Sequence, residues 1–127
     1  MANWLQDVEF LLPVDVVCTT DLNSNDVCCT RPLNSSCCDA SAPCVPDDAF
    51  GADLGPKTQE LFARAIKGSG TVFWNGPMGR FEMPAFAETT SAVAHAVAHA
   101  TAEGATTIIG GTATPPTTLH MHDVMSI

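Results

Sequence analysis

The sequence predicts an α/β fold, a three-layer arrangement around a parallel sheet, and three observations carry that prediction. Residues 71–74 (Thr-Val-Phe-Trp) are an apolar run opening into a glycine-proline loop, Asn75-Gly76-Pro77-Met78-Gly79-Arg80-Phe81-Glu82. Residues 106–109 (Thr-Thr-Ile-Ile) are a second β-branched run, ending in Gly110-Gly111. An uninterrupted helical pattern lies between them. Strand, loop, helix and strand make a βαβ unit with a right-handed crossover. Open α/β sheets take ligands at the carboxyl ends of their strands, so the two loops mark a ligand's place before they identify it.

The first element is a strand over residues 10–17, with Pro13 at its start or edge. Strands near 13–18, 71–75 and 106–109 are expected to build the parallel sheet. Residues 19–49 are rich in Asn, Ser, Asp, Pro and Cys and show no apolar period. So long a stretch is unusual inside a compact domain, and residues 19–44 are expected to be the least ordered internal segment. Gly55-Pro56 starts a helix, with proline suited to the first turn. Leu61, Phe62, Ala65 and Ile66 share its inner face, and Gly68-Ser69-Gly70 ends it. Trp74 belongs to the next strand and is expected in the core. From Pro84 the pattern is helical to Glu103, with Phe86, Thr90, Val93, Val97 and Ala100 on one stripe. The tail from Thr112 breaks the pattern, and Pro115-Pro116 forbids an immediate helix.

At 127 residues the chain suffices for one small domain with a real core. It carries a formal net charge of −9. Most of that imbalance lies before residue 54, where Arg31 is the one base among many acids. With no basic patch, nucleic acid and a polybasic membrane contact are excluded as partners. No apolar run approaches a membrane span, and the amino end lacks the pattern of a signal peptide. This points to an intracellular protein, or to a fragment without its own beginning. The six cysteines crowd between Cys18 and Cys44. Their doublets do not match zinc spacing, and reduced thiols are expected.

Several residues invite a chemical role. Glu82 follows a loop whose glycines let backbone approach a ligand, and its carboxylate suits a ribose diol. It equally suits the first turn of the following helix, favoured by the dipole. Gly110-Gly111 can present N–H groups to phosphate, although a glycine pair is also an ordinary turn, and no Walker motif is present. His95 and His99 are four apart, but their face lies opposite the apolar stripe and no third ligand is evident. No metal site and no catalytic residue follow from the residues themselves.

The block from Trp74 to Glu82 nonetheless resembles phosphoglycerate kinase. The resemblance extends from Leu11-Leu12-Pro13-Val14-Asp15-Val16-Val17, through Gly51-Ala52-Asp53-Leu54-Gly55-Pro56-Lys57-Thr58, to the strand ending in Gly110-Gly111. These blocks stand in the family's order at near its spacing, covering residues 9–111. The resemblance implies a Rossmann-like fragment, the middle of a carboxyl-terminal nucleotide-binding domain, followed by a divergent tail over 112–127. It implies phosphoryl transfer between 1,3-bisphosphoglycerate and ADP, a glycolytic step, with Mg-ADP or Mg-ATP as the nucleotide. Gly51 would line the adenine side, Glu82 would take the ribose hydroxyls, and Gly110 and Gly111 would begin the phosphate turn. The 3-phosphoglycerate would bind only through an amino-terminal domain that this chain lacks. The compartment implied is the cytoplasm, or alternatively a plastid.

The departures bear on activity. Where the family continues with a third glycine, an aspartate and Ser or Thr, this chain has Thr112, Ala113 and Thr114. Ala113 has no oxygen to offer metal-bound phosphates. Asp48-Ala49-Phe50 replaces the family's usual Gly-Trp-Met beside the adenine. The abrupt change after Gly111 is what a frameshift or retained intron would produce. The expectation is a chain that keeps the nucleoside side of a kinase site and shows no turnover alone. The alternative is a binding or interaction module that has kept the scaffold.

Overall fold

The computed structural model describes residues 8–33 and 44–111. Among them the elements run β1 (Asp15–Thr19), β2 (Cys29–Pro32), β3 (Phe50–Leu54), α1 (Pro56–Ile66), β4 (Thr71–Asn75), α2 (Glu88–Ala102) and β5 (Thr106–Gly110). A single 3-10 turn, Pro84–Phe86, precedes α2.

The βαβ unit is present as read. β4 and β5 pair in parallel, with Phe73 opposite Ile108, Trp74 opposite Ile109 and Asn75 opposite Gly110. α2 makes the crossover and packs on β5 and β3. Its buried stripe is Val93, Ala94, Val97 and Ala100, joined by Phe86 from the preceding turn. Thr89 rather than Thr90 lies on the fully buried side, because Phe86 sits in a 3-10 turn and the helical period starts only at Glu88.

The strand near residues 13–18 departs from expectation. It does not join the parallel pair but forms the centre of a second sheet, ordered β2-β1-β3, with both pairings antiparallel. Flanked on both sides, β1 has no free edge to offer β4 or β5. The strand also starts later than the apolar run does. The N–H groups of Val14 and Asp15 donate to Thr58 Oγ1, at 3.0 and 3.1 Å, so Thr58 claims two amides where a longer strand would begin.

Residues 19–33 carry regular structure where none was expected. β2 is an edge strand whose Thr30, Arg31 and Pro32 are all exposed, so its pairing leaves no apolar trace in the sequence. Residues 34–43 and the tail from 112 lie outside the described residues. β3 escaped the sequence reading as well, because Gly51, Ala52 and Asp53 are poor strand formers. Cys18, Cys28 and Cys29 are free thiols. Cys44, in contrast to the expectation of reduced thiols, is disulfide-bonded.

Neither helix supplies its own amino-terminal cap; Gly55 and Ala87 at the cap positions offer no side-chain bond. Buried carboxylates from the antiparallel sheet do so instead. Asp15 accepts from Lys57 N at 3.0 Å and Thr58 N at 2.8 Å on α1. Asp53 accepts from Thr89 N on α2 at 3.1 Å. A carboxylate at a helix amino end is favoured by both hydrogen bonding and the helix dipole. These three capping bonds fix the helices to the sheet, and the helices in turn pack on each other.

Candidate functional site

Residues 76–80 leave β4 at its carboxyl end, in the position a parallel sheet reserves for ligands. Gly76 turns the chain with φ +84°, a left-handed conformation that favours glycine. The loop then lies across β3, where Arg80 N donates to the Ala52 carbonyl at 2.8 Å. Gly79 allows that approach. A Cβ there would collide with the Asp53 carboxylate and come within 2.9 Å of the Phe86 carbonyl. Met78 N donates to Thr90 Oγ1 at 3.2 Å, which ties the loop to α2 as well.

Between this loop and the antiparallel sheet lies a cavity of about 420 Å³. It is lined by Val16 and Leu22, by residues 51–54 and by residues 77–80. The volume falls within the usual range for small-molecule sites. The wall is mostly aliphatic or glycine, with two charged exceptions, Asp53 and Arg80. Asp53 is 3% exposed. Burial raises its pKa above the ordinary 3.8, although hydrogen bonds from Thr89 and Leu54 oppose the rise.

The predicted site residues distribute around this one loop. Gly51 lines the cavity, where a side chain would press on Val16 Cγ2 at 3.0 Å. Gly110 and Gly111 meet the root of the loop instead. The Gly110 carbonyl accepts from Gly76 N at 3.2 Å, and a Cβ on Gly111 would stand 3.2 Å from that same nitrogen. Glu82 is exposed beyond the turn and does not line the cavity. The structure therefore brings the glycines against the loop and leaves the carboxylate on its outer flank. Asp53 and Arg80 line the cavity without having been singled out as site residues. A cation in a loop otherwise made of glycine, proline and apolar residues is the signal that could have found Arg80.

Other expected features fall outside the site. His95 and His99 are exposed on α2; His95 Nδ1 lies 2.8 Å from the Ser91 carbonyl, and His99 pairs with Glu103 at 3.3 Å. Among the described residues no group of three or more His, Cys, Asp or Glu is arranged to hold a metal ion. Trp74, expected in the core, is only half-buried, and its Nε1 has no hydrogen-bond partner among the described residues. The thin two-stranded sheet covers it incompletely. Its neighbour Phe73 is 68% exposed, and Ile108 opposite is 50% exposed.

A family model described as phosphoglycerate kinase matches residues 2–124. The phosphoglycerate kinase of Pelodictyon phaeoclathratiforme is 43% identical over 104 residues, which cover 82% of this chain and 24% of that protein. That of Bifidobacterium adolescentis is 46% identical over the same length and coverage. The solved phosphoglycerate kinase of Coxiella burnetii superposes with a TM-score of 0.65 at 34% identity, covering 80% of this chain and 23% of that one. The chain thus spans about a quarter of the length of the relatives it matches.

Proposed function

The chain belongs to the phosphoglycerate kinase family, and from that premise we propose that residues 9–111 are part of a nucleotide-binding domain whose cavity receives a nucleoside. The observation that carries this reading is the loop of residues 76–80 bridging β3 and β5. It lines a cavity on one side and meets the Gly110-Gly111 turn on the other. A nucleotide laid across it has its base beside Gly51 and its phosphates near the glycine pair. Glu82, exposed on the flank, suits the ribose hydroxyls.

The residues fit the nucleoside half of Mg-ADP or Mg-ATP. The cavity has room for a base and ribose, and its wall allows close backbone approach at Gly51 and Gly79. They fit the metal half poorly, since Ala113 stands where the family has an aspartate. Magnesium, when bound with the phosphates, neutralises charge at the transferred group. Phosphoryl transfer between 1,3-bisphosphoglycerate and ADP requires that neutralisation and a second substrate held in line. We infer that these 127 residues alone bind nucleoside weakly and do not turn over. In that reading 3-phosphoglycerate engages only through the family's amino-terminal domain. A cytoplasmic site of action fits a glycolytic family, with a plastid as the alternative. Among the described residues no helix is long and apolar enough to cross a membrane.

Amide-resolved NMR of the full chain, titrated with ADP with and without magnesium, tests the reading. Shifts at Gly51, at residues 77–80 and at Gly110 are expected at millimolar nucleotide. No perturbation at these amides removes the reading and favours a scaffold kept for protein interaction. Tight magnesium-dependent binding would show that the phosphate turn works without an aspartate at position 113.

A further inference from the structure

Three free thiols gather at one end of the antiparallel sheet. Cys18 on β1 and Cys29 on β2 are paired directly across the two strands. Residues so opposed share a face and hold their Cα atoms about 4.5–5.5 Å apart, within the span of a disulfide. Their thiols are hydrogen-bonded, which helps to raise Cys18 above its ordinary value. Cys28, one residue before β2, brings its Sγ to 3.7 Å from that of Cys29. Its amide donates to the Cys18 carbonyl at 2.9 Å, so both residues of the doublet are held against β1. Cys29 therefore has a thiol on either side. Access falls along the row: Cys28 is exposed, Cys29 half-buried and Cys18 0% exposed. Cys44 is disulfide-bonded, whereas these three are free.

We propose that Cys28, Cys29 and Cys18 form a thiol–disulfide exchange site, which takes up a low-molecular-weight disulfide at Cys28 and ends as a Cys18–Cys29 disulfide clamping β2 to β1. The inference is independent of the nucleoside reading. The Cys28 thiolate attacks one sulfur of the external disulfide, forming a mixed disulfide and releasing the first thiolate. Cys29 then attacks the Cys28 sulfur and releases the second. Cys18 attacks the Cys29 sulfur and returns Cys28 to the thiol. Two protein thiols have then given two electrons to the external disulfide, and their two protons end on its two thiols. The order follows exposure, since Cys18 has no surface at which to meet the external disulfide. The end point follows from the backbone. A disulfide between neighbours 28 and 29 closes a small ring that the extended, paired start of β2 does not accommodate, whereas Cys18–Cys29 spans a register already formed. Burial pushes the Cys18 thiol up to about 11, so the last displacement is the slow one.

The test is incubation of the full chain with oxidised glutathione, with timed acid quenching, alkylation of the remaining thiols and tandem mass spectrometry. Cleavage before Asp21 and Asp26 parts Cys18 from the doublet. Glutathione should appear first on Cys28, and the Cys18–Cys29 link should then accumulate with Cys28 alkylated. Cys29→Ser should leave Cys18 unlinked and glutathione standing on Cys28. Cys28→Ser should still give the link, but at least about fivefold more slowly, because the half-buried Cys29 must then meet glutathione itself. Circular dichroism verifies that the variants fold, and the mapping of the native chain decides the matter where one does not. A Cys28–Cys29 disulfide as the stable product overturns the proposal, as does a lasting adduct on Cys28 with Cys18 still alkylated. A link from Cys18 to Cys37, Cys38 or Cys44 also overturns it. Equal yield of the Cys18–Cys29 link in urea would show that chance collision rather than strand register makes it, and overturns the proposal as well.

Discussion

Thr58 and Asp15, 43 residues apart, bond in both directions: the Thr58 amide donates to Asp15 Oδ1 at 2.8 Å, the Thr58 hydroxyl donates to the same oxygen at 2.5 Å, and the Asp15 amide donates back to Thr58 Oγ1 at 3.1 Å. Both residues are buried. The pair fixes the first turn of α1 to the central strand of the antiparallel sheet. Asp53 and Thr89 repeat the device for α2. Because Asp53 also touches the position of Gly79, the second cap reaches the cavity loop, whereas the first does not.

Asp15→Ala should therefore destabilise the chain globally, by about 2–3 kcal/mol, as it removes a helix cap and leaves buried amides unpaired. Urea unfolding measures it. A loss under about 0.5 kcal/mol would mean that water or backbone replaces the carboxylate without penalty.

Asp53 gives a pH dependence of unusual sign. Burial raises its folded pKa above the ordinary 3.8. The folded state then holds the proton more tightly than the unfolded state, so this group favours folding most in acid and progressively less as pH rises through that raised value. Relative to Asp53→Asn, the native chain should lose ground as pH rises from 3 to 7. Direct carboxyl NMR should show Asp53 titrating above 3.8; a value at or below 3.8 contradicts the assignment.

Two glycines of the loop should separate space from conformation. Gly79→Ala has no room beside Asp53 and Phe86, and should cost about 1–3 kcal/mol while weakening any ligand in the cavity. Gly76→Ala meets no atom within 4 Å but must hold φ +84°, so it should cost about 1 kcal/mol. Thermal melts with parallel ligand titration distinguish them. Equal effects on binding would show that the loop responds to rigidity rather than to contact.

Thiol reactivity should follow burial. Burial, reinforced by Cys29, pushes the Cys18 thiol up to about 11, whereas Cys28 is exposed. Timed alkylation at pH 8 with mass spectrometry should label Cys28 well before Cys18. Labelling of Cys18 first would require that β1 opens from its partners at low cost.

The parallel unit was legible because its signals are local. The β-branched runs at 71–74 and 106–109, the stripe of Val93, Val97 and Ala100, and the glycines that end each element all follow from short-range periodicity. Gly51, Gly110 and Gly111 were singled out by resemblance of their motifs, and their arrangement around one loop came only with the packing. Sequence pattern alone did not disclose β2 and β3, since an exposed edge strand and a Gly-Ala-Asp strand lack the apolar alternation by which strands are read. Nor could it assign β1 to an antiparallel sheet, a matter settled by which backbone edges lie together across 11 to 38 residues. The roles of Asp15, Asp53 and Arg80 are of the same kind. A carboxylate becomes a cap, and a guanidinium becomes the wall of a cavity, only when distant segments are packed against it. Local propensity therefore determined the elements of this chain, and long-range pairing decided what its charged residues do.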